Sequence, residues 1–192
     1  MNVKQAIESR RSIRRFKPDA LTHETIEMIL DAARLAPSGK NNQPWQFVVV
    51  QGDEREKMHE CLQAGLKSMK EKGIPTGSAE YTFRIMRTAP AVVFVFNSKN
   101  PGPWEEQSVT EQIFSIVNIQ SIGGAIQSML LRAQELEVGS LWICDTFAAY
   151  HELTEWLGRD TLLVAAVALG YADEAPAARP RVELGELVEW RG

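Results

Sequence analysis

Cysteine is scarce in this chain: only Cys61 and Cys144 occur among 192 residues, far apart in sequence. That count supplies neither a disulfide framework nor a thiolate metal site, and it points to a reducing, cytoplasmic setting. Histidine is nearly as rare. His23, His59 and His151 do not pair at a metal-ligand spacing, and no H-E-x-x-H is present. There is no G-x-S-x-G elbow, no P-loop, and no G-x-G-x-x-G following a strand, so a resident dinucleotide in a Rossmann site is not expected. If the chain does redox chemistry, another cofactor must carry the electrons. Basic excess is missing too. Lys and Arg total 21 against 25 Asp and Glu, a net charge of −4, which argues against a nucleic-acid partner. The longest apolar runs, Ala89–Phe96 and Leu162–Leu169, are far below the roughly 20 residues of a membrane span, so no membrane partner is expected. The first ten residues turn charged and hold no apolar signal core.

What is present reads as one domain over residues 1–192, with 44% hydrophobic and 24% charged residues, ordinary globular proportions. Val3 to Ser9 reads as a short helix. Thr22 is placed to cap a second helix whose apolar face is Ile26, Ile29, Leu30 and Ala33, and Pro37 ends it near Ala36. Trp45–Gln51 reads as a strand, and Asp53 as the cap of a long helix. Gly73–Ser78 reads as a loop before a short helix at Glu80–Thr88; the uniformly apolar Ala91–Phe96 is a buried strand, and Asn97–Trp104 a connection. From about Glu106 to Leu136 a helix is apolar around nearly its whole circumference, which predicts burial on all sides, partly against another subunit. Gly123 and Gly124 inside it imply a close backbone approach or a kink. Leu141–Cys144 and Leu162–Leu169 read as strands around a Tyr150–Leu157 helix, and Val182–Trp190 as an extended tail whose strand-like Leu187–Trp190 end suits a sheet edge.

Three polar stretches stand apart from this core pattern. Arg10, Arg11, Ser12, Arg14 and Arg15 can surround a phosphate dianion with charge-assisted, partly bidentate hydrogen bonds, or form a solvated basic turn. The loop Pro37-Ser38-Gly39-Lys40-Asn41-Asn42-Gln43-Pro44-Trp45 combines small residues with amide groups suited to a flat heterocycle, or is a plain polar connection. Arg179-Pro180-Arg181 in the tail is a third functional stretch or a surface basic pair.

In this order and spacing the stretches resemble the FMN-dependent nitroreductase-like family. The likeness runs from the arginine-rich turn, through P-S-G-x-N-x-Q-P-W and its V-V-V strand, to the Gly139-Ser140-Leu141-Trp142-Ile143 strand and the R-x-R tail. The resemblance implies an α+β fold, a sandwich with a central mixed or antiparallel sheet flanked by helices, and a C-terminal extension exchanged in a homodimer. It implies that Arg10, Arg11, Ser12 and Arg14 hold the FMN phosphate and ribityl chain, and that Arg179 and Arg181 close that site. Pro37, Ser38, Gly39 and Asn41 would come from the second subunit, with Gln43 supporting their loop, while the backbone of Trp142, Ile143 and Cys144 approaches the flavin from the other side. NADH or NADPH would be a transient donor to the flavin, and a small organic molecule, such as a nitroaromatic or quinone, the acceptor. No catalytic side chain and no metal ligand is assigned.

Departures are visible. Cys144 stands where many relatives carry glycine, as a small buried hydrophobe or a redox thiol. Asn118 stands near a position often acidic in relatives. Tyr81, Phe83, Arg84 and Met86 either overlie the acceptor cavity or belong to an ordinary packed helix. Two other readings stay open: a flavoenzyme of this fold that desaturates, dehalogenates or breaks down flavin, and a flavin-binding protein without turnover.

Overall fold

The computed structural model describes residues Met1–Gly192 and is a three-layer α/β/α sandwich with a four-stranded, wholly antiparallel sheet. Strands β1 (Trp45–Gln51), β2 (Ala91–Pro101), β3 (Gly139–Ile143) and β4 (Thr161–Gly170) lie in the order β1-β2-β4-β3. The helices are α1 (Val3–Ser9), α2 (His23–Arg34), α3 (Glu54–Glu71), α4 (Ala79–Thr88), α5 (Val109–Glu135), α6 (Tyr150–Trp156) and the four-residue α7 (Leu184–Leu187). Alternation along β2 feeds two cores. Val92, Phe94 and Phe96 pack with Met58, Leu62, Phe83, Met86 and Leu153 of α3, α4 and α6, while Ala91, Val93 and Val95 pack with Ile29, Ala33, Ile122, Ile126 and Met129 of α2 and α5. Because both faces are covered, Ala91–Phe96 of β2 and Leu162–Leu169 of β4 are continuously apolar. The β2–β4 register shifts between Val95 and Phe96, so that Leu163 and Ala166 both join the α3/α4/α6 side.

Local chemistry explains the helix boundaries. Thr22 accepts from the Thr25 amide at 3.1 Å, and Asn2 and Ser108 each form a reciprocal capping box, with Gln5 and Glu111. Asp53 departs from expectation: its backbone is already helical and its side chain makes no cap bond. Hydrogen bonding also carries β2 beyond Phe96 to Pro101, through what composition marked as a connection. Helix α5 runs unbroken through Gly123 and Gly124. A Cβ on Gly123 would lie 3.7 Å from the Trp142 ring, an ordinary contact, and Gly124 faces open space.

Helix α5 is long and apolar enough, by length and composition, to cross a membrane, although its uninterrupted apolar runs are short. Here its C-terminal half is core: Ile122, Ala125, Ile126, Met129 and Ala133 are fully buried. Its N-terminal half is not. Ile113, Phe114, Ile116 and Ile119 are 41% to 57% exposed, so the all-round burial predicted from sequence holds within the chain for only half of the helix. Residues 171–192 add no strand, and the expected strand-like end is instead α7 followed by extended chain, with Trp190 90% exposed. A strand needs hydrogen bonds from a neighbouring edge, and within this segment the one ladder contact is the isolated bridge of Ala172 to Phe16.

Candidate functional site

The arginine-rich turn is stitched to the edge strand β3. Ser12 bridges Ser140 in parallel register, Ile13 N donates to Ser140 O at 3.0 Å, and Phe16 bridges Ala172 beyond β4. Ile13 and Phe16 are buried in the α3/α4/α6 core, which turns the intervening polar side chains outward. Glu174 fixes the backbone of the turn by accepting from the Arg14 and Arg15 amides, and it also pairs with the Arg15 guanidinium at 3.6 Å. Gly170 is required beside the turn, since a Cβ there would stand 2.5 Å from the Pro90 ring.

Past this turn the chain from Pro176 to Arg181 folds back, and Arg10, Arg11, Ser12, Arg14, Arg179 and Arg181 line one cavity of about 340 Å³. Two ends of the sequence therefore supply a single basic pocket. None of these five arginines forms an ion pair with a carboxylate. Partial burial, then the neighbouring charges of Arg181 and Arg11, pull the Arg10 guanidinium below its usual pKa. Like charges held together in this way suit a dianion, and a phosphate monoester carries about −1.5 to −2 at neutral pH. The donor set fits an FMN phosphate on its chemistry. A larger groove of about 810 Å³ between α2 and β1, walled by Leu30, Leu35, Trp45 and Phe47, offers no comparable set of cations.

Trp142 and Ile143 are the last two residues of the strand that Ser12 joins, and Cys144 follows it directly. Ile143 is buried, and Trp142 and Cys144 are exposed. For Cys144 this corrects the expectation of a small buried hydrophobe. Strand β3 ends at Ile143, and Cys144 keeps to the exposed side that Trp142 occupies two residues earlier, ahead of a 3-10 turn at Asp145–Ala149. Partial desolvation, then the Asp145 carboxylate, raise the Cys144 thiol pKa, so it is mostly protonated at neutral pH. Asp145 in turn accepts from Thr82 Oγ1 at 2.6 Å and Ser78 Oγ at 2.9 Å, tying α4 to the end of β3. On α4, Phe83 and Met86 are core residues, whereas Tyr81 is exposed beneath the Arg84 guanidinium.

The loop holding Pro37, Ser38, Gly39, Asn41 and Gln43 is not part of the arginine cavity. It precedes β1, the edge strand three positions across the sheet from β3, a span of roughly 14 Å. It docks on α5 at Val117, Asn118 and Ser121, whereas Trp142 meets α5 at Gly123, roughly the opposite side of the helix by the 100° advance per residue. Lys40, Asn41 and Gln43 all have left-handed backbones, with φ of 54°, 54° and 44°. Asn tolerates that region, but Lys40 and Gln43 each cost roughly 1–2 kcal/mol there. Gly39 N donates to Ser121 Oγ at 3.2 Å, and a Cβ on Gly39 would sit 2.5 Å from Val117 Cγ1. Gln43 takes part only through its amide, which donates to Ser38 Oγ at 3.0 Å. The side chain that anchors the loop is Asn42, bonded to buried Asn118 at 3.0 Å, and sequence reasoning missed it. Asn118 itself was visible from sequence only as a residue near a position often acidic in relatives.

Comparison with known proteins now adds its weight. The model of the Nitroreductase family matches residues 7–171. The chain belongs to the nitroreductase family. A Methanothermobacter thermautotrophicus protein, provisionally named an NADH dehydrogenase/NAD(P)H nitroreductase, is 31% identical over 147 residues, covering 74% of this chain and 60% of that relative. A similarly named Archaeoglobus fulgidus protein is 32% identical over 139 residues, covering 71% of this chain. The alignments span 60% and 64% of these relatives' own lengths, so the chain matches less than two thirds of each. Among solved structures, a provisionally assigned nitroreductase from Desulfovibrio desulfuricans in complex with FMN superposes with a TM-score of 0.77 at 29% identity, covering 100% of this chain and 98% of that one. A BluB-like flavoprotein from Clostridium difficile reaches 0.78 at 26% identity, with both chains covered completely. The α+β nitroreductase fold implied by the resemblance is therefore the fold of this chain, with the sheet antiparallel rather than mixed.

Proposed function

We propose that this chain works as a homodimer that binds FMN and passes electrons from NADH or NADPH to small organic acceptors such as nitroaromatics or quinones. The observation that carries this reading is the single cavity lined by Arg10, Arg11, Ser12, Arg14, Arg179 and Arg181, five unpaired guanidiniums on a protein of net charge −4. Bound FMN supplies hydride acceptance and donation, chemistry no side chain of this protein can perform. The arginines hold the phosphate with charge-assisted, partly bidentate bonds and thereby fix one end of the cofactor. Trp142 and Cys144, two and four residues beyond Ser140, are exposed, and the chain from Trp142 to Cys144 would approach the flavin ring of a cofactor held by its phosphate beside Ser12.

Pro37, Ser38, Gly39 and Asn41 do not line that cavity and dock on the opposite side of α5 from Trp142, so we assign their contribution to a second copy. Support for that copy is the exposed apolar face of α5, from Ile113 to Ile119, which runs past the same loop, together with the unpartnered tail carrying Leu184, Leu187 and Trp190. The side chains of Asn41 and Gln43 are exposed and stay free to meet the pyrimidine edge, where amide donors stabilise the negative charge that develops on reduction. No acid or base side chain is assigned a step. Likeness to a BluB-like flavoprotein favours a second reading, in which the cofactor and fold stay and the acceptor chemistry differs.

Purification and anaerobic titration test this reading. A yellow dimer bleached by NADH or NADPH, and reoxidised by nitroaromatics or quinones, is the expected result. A yellow protein that neither nicotinamide bleaches would make it a flavin binder without turnover. Bleaching followed by reoxidation with neither acceptor class would support the second reading. A colourless protein that takes up no FMN would end the proposal.

A further inference from the structure

We infer that Asn118 is a positioning residue for the flavin: a directional chain of buried amides fixes Asn42, and through it the strained Gly39–Gln43 loop, before any cofactor arrives. The inference rests on the FMN reading above. Its basis is four hydrogen bonds whose polarity allows one arrangement. The backbone N–H of Lys99 donates to Asn97 Oδ1 at 3.1 Å, so Asn97 must present its Nδ2 to Asn100, where it donates to Oδ1 at 2.7 Å. The same Asn100 Oδ1 accepts from Asn118 Nδ2 at 3.0 Å. Asn118 Oδ1 is thereby aimed at the loop and accepts from Asn42 Nδ2 at 3.0 Å. A backbone amide has no alternative polarity, so Lys99 sets the amide orientation of every asparagine up to Asn42.

Burial gives this chain its strength. Asn97, Asn100 and Asn118 are 0%, 6% and 4% exposed, and an amide left unpaired there is costly. Asn42, by contrast, lies in the exposed loop between Asn41 and Gln43, both of which have left-handed backbones. Those residues stay in that region only if the surroundings over-determine it. Three ties do so. Asn42 is held by Asn118, Gly39 N by Ser121 Oγ, and Pro44 O accepts from Ser98 N at 2.8 Å and Ser98 Oγ at 3.0 Å. Two of the ties reach α5 one turn apart, and the third reaches the same β2 segment as Asn97 and Asn100. The network also leaves Asn42 Oδ1, on an exposed residue, without a partner within the chain, an acceptor available to a flavin N–H or ribityl hydroxyl.

Apolar neighbours on α5 do not require asparagine at position 118. The requirement comes from standing between an acceptor, Asn100 Oδ1, and a donor, Asn42 Nδ2. Only a side chain with both kinds of group satisfies the two at once. Asn118→Asp keeps the acceptor for Asn42 but sets a second oxygen against Asn100 Oδ1, so an isosteric change of a single group should fail where a volume argument would let it pass.

The test is a double-mutant cycle on the FMN-loaded dimer, with Asn42→Ala, Asn118→Leu and the double variant, plus Asn118→Asp. FMN dissociation constants and flavin midpoint potentials are measured beside thermal melts of the apo-proteins. Loss of one buried hydrogen bond predicts about a tenfold weaker FMN affinity for each single variant. The double variant should be no worse than the weaker single one, because both changes release the same tie. The potential should move in the same direction in all four variants. Asn42→Ala changes an exposed loop residue and cannot unfold the core, so it keeps the test valid if a change at position 118 damages folding. Wild-type FMN affinity and potential in Asn42→Ala, or additive losses in the double variant, would overturn the inference. A wild-type protein that binds no FMN would instead remove the underlying functional reading.

Discussion

Replacing Arg10 and Arg181 together by alanine should weaken FMN binding while leaving the apo-protein as stable as before, or more so. The two side chains line the proposed phosphate cavity from opposite ends of the sequence and face each other closely enough for Arg181 to depress the Arg10 pKa. A base whose folded-state pKa lies below its unfolded value opposes folding while it is charged. That opposition is present at every pH below the folded pKa and fades only as pH rises towards the unfolded one, far above any working buffer. Removing the pair relieves it. With FMN bound the sign reverses, because each arginine–phosphate contact is a charge-assisted hydrogen bond contributing about 1.5–3 kcal/mol. Two of them amount to about 3–6 kcal/mol, or about 10² to 10⁴ in the dissociation constant. Arg11, Arg14 and Arg179 remain to hold the anion, so the loss should fall near the lower figure. Fluorescence titration of FMN gives the affinity, paired melts of apo- and holo-protein give the stability, and raising the salt should narrow the difference between wild type and variant. Unchanged FMN affinity, or an apo-protein destabilised as much as the holoprotein, would refute the reasoning.

Other expectations follow from the same structure. Gly39→Ala drives a Cβ to 2.5 Å from Val117 Cγ1 and should loosen the loop and FMN binding; adding Val117→Ala should restore affinity, and no restoration would place the fault elsewhere. Ile116→Asp or Phe114→Asp, on the exposed face of α5, should leave the monomer folded by circular dichroism yet sediment as a 21.5 kDa species with reduced FMN retention. A folded dimer with full retention would show that this face is not the interface. The Cys144 thiol, raised in pKa first by desolvation and then by Asp145, should alkylate slowly at neutral pH and faster as pH climbs. Asp145→Asn should speed alkylation modestly, since burial is the larger cause and remains. Rapid, pH-independent labelling would contradict this.

Much of the layer architecture was legible because it depends on short-range rules. The spacing of Ile26, Ile29 and Ala33 marks one helix face, Thr22 caps its start, and uninterrupted apolar residues over Ala91–Phe96 signal a strand covered on both sides. The arginine turn and the P-S-G-x-N-x-Q-P-W loop were visible as polar stretches in an apolar chain. Cys144 was misjudged because which face of β3 is covered is set by the packing of the sheet, and the uncovered face carries both Trp142 and Cys144. Asn42 and Asn118 went unseen as a pair because they are 76 residues apart and meet only once β1 and α5 have packed.

Composition and periodicity by themselves marked the apolar helix faces, the buried strands and the segments that stay polar, since those signals depend on neighbours one to four positions away. Only the tertiary structure decided that Arg10 and Arg181 share a cavity, that the glycine-bearing loop lies on the far side of α5 from Trp142, and that a row of asparagine amides points one way. Such arrangements depend on sheet order and chain reversal, which bring together groups that no local spacing relates.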